Sequence, residues 1–322
     1  MSINRSVLAA ALAALMAGSP SAQSPARVSP EPLPRTPWGH PDLQGRWTSA
    51  TLTPLERPSD LGPKEYFTEA EAAEYAKTAL ERFVAAINMP EEAALAGEFS
   101  ADLWGEPRSI VPTRRTSLIV GPTGRLPPLT AEGRQRAAAR AAARKADRAD
   151  SPEERPLPER CLWFPVEGPP MLPGIVYNSN YEIVQTPSHV AIHVEMGDGV
   201  RIIPLDGRPH LPAHVARWFG DSRGRWEGDT LVVETTNFSD KRDFRGSTDR
   251  LHLIERFKRT REDLLLYEFT AEDPTTWSAP WTAEIPMQPL EGLLYEYACH
   301  EGNRSLGNIL RAARAADAAA GR

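Results

Sequence analysis

From Tyr181 to His300 the chain takes on a two-residue period, and this stretch decides what it can fold into. In HVAIHVEM, Val190, Ile192, Val194 and Met196 share one face, while His189, Ala191, His193 and Glu195 share the other. Gly197-Asp198-Gly199 turns the chain, and VRIIPL returns it as a hairpin partner. TLVVETTNF, LHLIERFKR, DLLLYEFT, WTAEIPM and LLYEYACH follow, separated by turns rich in Gly, Asp, Pro and Ser. Short strands at this spacing predict a mainly β fold with helical insertions. Its core is an antiparallel meander closed as a lipocalin-like barrel or packed as a sandwich.

The half before it reads differently. Of 322 residues 31 are proline, many of them early, where they cut the chain into short elements and irregular loops. Thr68 to Asn88 is the clearest helix: Thr68-x-x-Glu71 makes a capping box, and Ala72, Ala76, Leu80, Phe83, Val84 and Ile87 lie along one face. Asn88 and Pro90 end it. SLIV (117–120) is expected as a short strand, and Thr130 to about Arg148 as a second helix. Arg136, Arg140, Arg144 and Arg148 form a basic stripe on it, which reads as a solvated face rather than an anion site. Pro212 to Gly220 is expected as a short helix and 305–322 as a terminal one.

Met1 to Ala22 has the form of a secretory signal, with Arg5 before an apolar run, VLAAALAALMA, and small residues after it. Its eleven apolar residues fall short of the roughly 20 that span a bilayer. The expected plan is a signal over 1–22, a flexible leader over 23–37, a helix-bearing segment over 38–160, the β-structure over 161–304 and a C-terminal helix. In an oxidising compartment Cys161 and Cys299 form either one bridge or two buried thiols. The formal charge is −6, or −7 without Arg5, and lacks the basic field that nucleic acid or an anionic membrane demands. The expected partner is a small molecule, with no nucleic acid and no membrane insertion.

Three stretches carry a resemblance: PHLPAHVARWFGDSRGRWEGDTLVVETTNF, DPTTWSAPWTAEIPM and YEYACHEGN. Over about Trp38 to Gly307 the chain is similar to a widespread family of secreted bacterial proteins with no attached activity, so the resemblance implies export and no particular reaction. Members carry E-x-x-H-D-x-R at the hairpin. Here Asp198 stands in the histidine position, leaving Glu195 and Arg201 as the matches. Gly45-Arg46-Trp47 and Gly224-Arg225-Trp226 resemble the Gly-x-Trp that opens the first strand of lipocalin-like barrels.

Gly220-Asp221-Ser222-Arg223-Gly224 matches G-x-S-x-G, yet a nucleophile elbow needs a strand before the serine and a helix after it. The order here is reversed, and the stretch reads as a turn. His189, His193 and Glu195, with His252 or His300, could ligate a metal or could form a polar outer strand face. Glu255 is the most informative position. It interrupts the apolar row Leu251, Leu253, Phe257, and a carboxylate held inside must be paired, protonated or functional. Arg201, Arg225, His193 and His300 are its candidate partners; Trp226, Trp277, Trp281, Tyr267 and Tyr295 read as core or lumen lining. No nucleotide-binding motif or metalloprotease motif occurs, so no cofactor is expected. Two functions remain. One is an acid–base enzyme (lyase, isomerase or hydrolase) using Glu255, His193, Glu195, Arg201 and His300; the other is a lipocalin-like carrier of an apolar or aromatic ligand.

Overall fold

The computed structural model describes residues 33–87, 113–146, 148–164, 166–174, 179–242 and 244–321. The expected signal, most of the expected leader, and the expected helix stop at Asn88 and Pro90 lie outside the described residues. Nine strands form one sheet: β1 (Gly45–Thr48), β2 (Asn180–Gln185), β3 (His189–Val194), β4 (Gly199–Pro204), β5 (Asp221–Glu227), β6 (Thr230–Thr236), β7 (His252–Arg261), β8 (Leu264–Glu272) and β9 (Trp281–Pro289). Each pairs antiparallel with its successor except β4 with β5, and β9 returns to pair with β1. The result is a nearly closed barrel with a single breach, between β4 and β5.

The odd strand count fixes the nature of that breach. Alternating direction round nine strands, with β9 antiparallel to β1, leaves β4 and β5 running the same way. Contacts agree with this: Gly199 of β4 lies against Phe219, and farther along Gly224 of β5 lies against Ile203 and Leu205. A Cβ on Gly224 would stand 2.6 Å from the Leu205 side chain and 2.9 Å from that of Ile203, so glycine lets the two strands approach without displacing either. A same-direction pair needs a crossover rather than a hairpin. Residues 205–220 supply it, in turns rather than the expected helix over 212–220.

Inward positions alternate as the sequence predicts. Val190, Ile192, Ile203, Val233, Leu253, Phe257, Tyr267, Phe269, Ala283 and Ile285 fill the barrel in one core cluster. Register makes the case for Glu255. Turning Leu251, Leu253 and Phe257 outward by a one-residue slip would cost roughly 5–9 kcal/mol of apolar burial, more than burying one well-paired carboxylate. The apolar row wins, and Glu255 goes inside with no exposed surface.

The helices are α1 (Glu69–Ile87), α2 (Ala131–Ala146), α3 (Cys299–Gly302) and α4 (Arg304–Ala319). The capping box forms: the Thr68 N–H donates to Glu71 Oε2 at 2.8 Å, and the Glu71 N–H to Thr68 Oγ1 at 3.3 Å. Along the expected apolar face only Ala72 is buried among the described side chains, and Leu80 is 44% exposed. α2 is pinned to the β8–β9 turn by Thr130 Oγ1, which donates to the Thr275 carbonyl at 2.6 Å, and by Arg136, which donates to that carbonyl at 3.0 Å. Arg148 pairs with Asp150 at 2.6 Å. Part of the basic stripe is therefore structural.

Four local expectations are corrected. The 220–224 stretch is not a turn: from Asp221 it is strand β5, with Ser222 bonded inside to Thr235 at 2.9 Å. SLIV makes one isolated bridge, Ile119 to Ala283, which carries the β1–β9 seam past the end of the short β1. LLYEYACH is not a strand; it runs irregularly into α3, and Tyr295 is 75% exposed rather than core. Cys299 therefore opens a helix instead of sitting on a last strand. It is bonded to Cys161, with Cα atoms 5.7 Å apart, so the bridge holds the start of the β-rich half to its end.

Candidate functional site

The inward carboxylate on β7 organises a buried polar network. Arg201 of β4 reaches Glu255 with both guanidinium ends, Nη1 to Oε2 at 2.5 Å and Nη2 to Oε1 at 3.0 Å. The Tyr267 hydroxyl of β8 donates to Glu255 Oε1 at 2.8 Å and accepts from the Met171 N–H at 3.0 Å. Burial first, and then the Glu255 charge, push the Tyr267 phenol well above its ordinary value, which keeps it a donor.

Arg242 enters the same region from the loop after β6. Its guanidinium donates to the carbonyls of Pro169 and Trp218 and lies 5.0 Å over the rings of Trp163 and Phe238. Burial, and then the nearby Arg201 charge, pull its pKa down to about 9. Glu167 is the second carboxylate here. Burial pushes it up to about 7, against the pull of the Phe164 N–H and the Arg242 charge. It packs against Gly197 and Gly199, where a Cβ would come within 2.8 and 2.6 Å of its carboxyl group. The hairpin glycines are thus spaced to admit a carboxylate.

Outside this network a cleft of about 890 Å³ opens over the breach. One wall is the outer face of β4, where Val200 and Ile202 are more than half exposed. The other is the crossover and the start of β5. Arg201 and Trp218 belong to both cleft and network.

The chemistry on the crossover wall centres on Asp221, which is 3% exposed. Its Oδ2 lies 3.1 Å from His210 Nδ1 and accepts the Leu211 N–H at 2.9 Å, and its Oδ1 accepts Arg223 Nη1 at 2.8 Å. Burial opposes ionisation, but the Leu211 N–H, His210 and Arg223 outweigh it and hold the carboxyl below its usual range. An ionised Asp221 can only accept, so His210 donates to it from Nδ1, and in the neutral ring Nε2 is the proton acceptor. A base oriented by a carboxylate is the minimum equipment for moving a proton.

Of the five residues singled out from sequence, only Arg201 and Glu255 come together. His193 lies on the outer face of β3, opposite Glu182 and Val200. Glu195 falls just past the strand end, not on its face. It is buried and accepts from Asn180 Nδ2 at 2.7 Å and the Tyr295 N–H at 2.9 Å. His300 is exposed on α3, and Arg225 pairs with Glu227 on the outer surface. His252 pairs with Glu234 at 2.7 Å, also outside the barrel. Among the described residues no group of three His, Cys, Asp or Glu side chains could hold a metal ion, and no helix is long and apolar enough to cross a membrane.

Sequence reasoning missed His210, Asp221, Arg223, Arg242 and Glu167. The alternation of Asp221 and Arg223 opposite Ser222 and Gly224 was the one available signal for a strand presenting a charged pair. Comparison of the chain with protein-family models, with curated proteins and with solved structures returns no match.

Proposed function

We propose that the protein is a cofactor-independent acid–base enzyme acting on a small organic molecule in the β4–β5 cleft, as in elimination, isomerisation or hydrolysis. The observation that carries this reading is the His210–Asp221 contact of 3.1 Å on the wall of a cleft of about 890 Å³. His210 takes and returns the proton through Nε2, Asp221 fixes its tautomer, and Arg223 holds Asp221 ionised. Val200 and Ile202 offer an apolar bed for the substrate body. Arg201 lends positive charge at the cleft floor, and Glu255 positions that guanidinium rather than reacting: both its oxygens are already engaged.

The alternative, a lipocalin-like carrier, places its ligand in the lumen. Here inward side chains from all nine strands, or the buried ion network, occupy that space, which favours the cleft. The site of action we infer is the periplasm or the extracellular space. The leader sequence and the Cys161–Cys299 bridge both support it.

The test is deuterium incorporation and turnover, followed by proton NMR in D₂O, over a panel of small ketones, hydroxy acids and esters. The expected result is exchange or conversion of at least one class by the wild-type protein and its loss in His210→Gln. Silence of the wild type across the panel, or full activity in His210→Gln, would overturn the proposal.

A further inference from the structure

A second cavity, of about 430 Å³, lies between the segment after β1, the middle of α1 and the stretch 172–174. Its walls are largely apolar, with Leu52, Pro54, Leu55, Leu118 and Leu172 among them. Four polar side chains break that lining: Thr51, Thr53, Arg82 and Arg245. Thr53 is 5% exposed, and among the described residues its Oγ1 has no hydrogen-bond partner. A buried hydroxyl left without a partner costs about 1–3 kcal/mol. It is the kind of debt that a bound molecule relieves.

Arg82 of α1 and Arg245 form the solvent side of the same cavity. Among the described residues neither guanidinium has a hydrogen-bonded or ion-paired acceptor, whereas Arg35, Arg115, Arg136, Arg148, Arg201, Arg208 and Arg223 all pair with carboxylates. Arg245 is exposed at the rim, and the partial burial of its side chain lowers its pKa, with Glu56 only partly compensating. Its backbone is held left-handed at φ 51°, a conformation a non-glycine residue adopts at some cost. Phe244, 1% exposed and stacked on Trp281, fixes the residue before it. Arg245 is thus presented to the cavity by a strained and well-anchored turn.

We propose that this cavity binds a small amphipathic carboxylate, an alkyl or aryl acid. Its apolar body lies among Leu52, Leu55, Leu118 and Leu172, its carboxylate is met by Arg82 and Arg245, and Thr53 bonds a polar atom below the rim. A planar guanidinium matches a carboxylate with two parallel hydrogen bonds. The volume falls within the range of small-ligand pockets. The site is separate from the cleft and does not depend on His210 chemistry.

The test is isothermal titration of the disulfide-bonded full chain with decanoate, below its micellar range, and with decanol. Decanoate is expected to bind once per chain. In Arg82→Gln/Arg245→Gln its affinity falls roughly a hundredfold, while decanol binds wild type and variant alike. Both variant sites are exposed, and an unchanged melting temperature checks that the fold is kept. Ala79→Trp, which fills the cavity from α1, removes binding of both ligands. His210→Gln leaves decanoate binding unchanged. No decanoate binding to the wild type, equal binding to the double arginine variant, or loss of binding in His210→Gln alone would each overturn the proposal.

Discussion

Replacing Glu255 by glutamine separates an anchoring role from a reacting one. The change removes one charge from a pair in which Glu255 has no exposed surface and the Arg201 side chain only 7%. The amide oxygen still accepts from Tyr267, so the cost falls on Arg201, left charged in the interior with Arg242 close by. Orphaning one member of a buried ion pair costs about 3–5 kcal/mol. For a chain of this size that corresponds to a melting temperature lower by roughly 6–15 °C. Adding Arg201→Met removes the stranded charge, and the double variant should recover at least half of the loss. Urea unfolding followed by tryptophan fluorescence and circular dichroism measures both, since Trp47, Trp163, Trp277 and Trp281 are all buried. A Glu255→Gln protein within about 1 kcal/mol of wild type, too small for an orphaned buried charge, would refute the reasoning. So would a double variant less stable than the single one.

Two further outcomes are expected. Glu167, ordinarily near 4.5, stands at about 7 in the folded protein, so between those values the folded state holds a proton that the unfolded chain releases. Its contribution to stability is full below about pH 4.5 and is lost as pH rises through about 7, a decline of about 3 kcal/mol; Glu167→Gln should flatten that slope in urea midpoints taken from pH 4.5 to 7.5, and an unchanged slope would refute it. Cys161→Ala/Cys299→Ala opens a loop of 138 residues, which costs up to about 5 kcal/mol in the chain-entropy model, and unfolding with and without reductant should coincide for the variant and differ for the wild type.

What could be read from sequence depended on how far each pattern was local. β6, β7, β8 and β9 announce themselves because alternation is a property of adjacent residues, and the same pattern forced Glu255 inward. β5 was hidden: Asp221, Ser222 and Gly224 are turn-forming residues, and their place in a strand is imposed by pairing with β6 on one side and by the close approach of β4 on the other. Arg201 was named among the possible partners of Glu255 but could not be chosen. The choice rests on the barrel bringing β4 and β7 to face each other across its interior. His210 and Asp221 escaped because the crossover between them has no period to read. The Cys161–Cys299 pairing was one of two open readings, and only the fold brings those ends together.

The placement of β1 sets an order on the folding of the barrel. Thr48 pairs with Asn180, and Trp47 with Pro289, so the shortest strand makes the two pairings most distant along the chain. The meander from β5 to β9 consists of neighbouring hairpins whose loops close at little entropic cost. β1 has no such partner. It is synthesised before every other strand, and its second neighbour is complete only when β9 has been made. Until then β1 and β8 each keep the edge that β9 will cover unpaired, and an open edge will accept any extended segment. The interval between the first strand and the last is therefore when this chain is most exposed to wrong pairing, and the four residues from Gly45 to Thr48 bring it to an end.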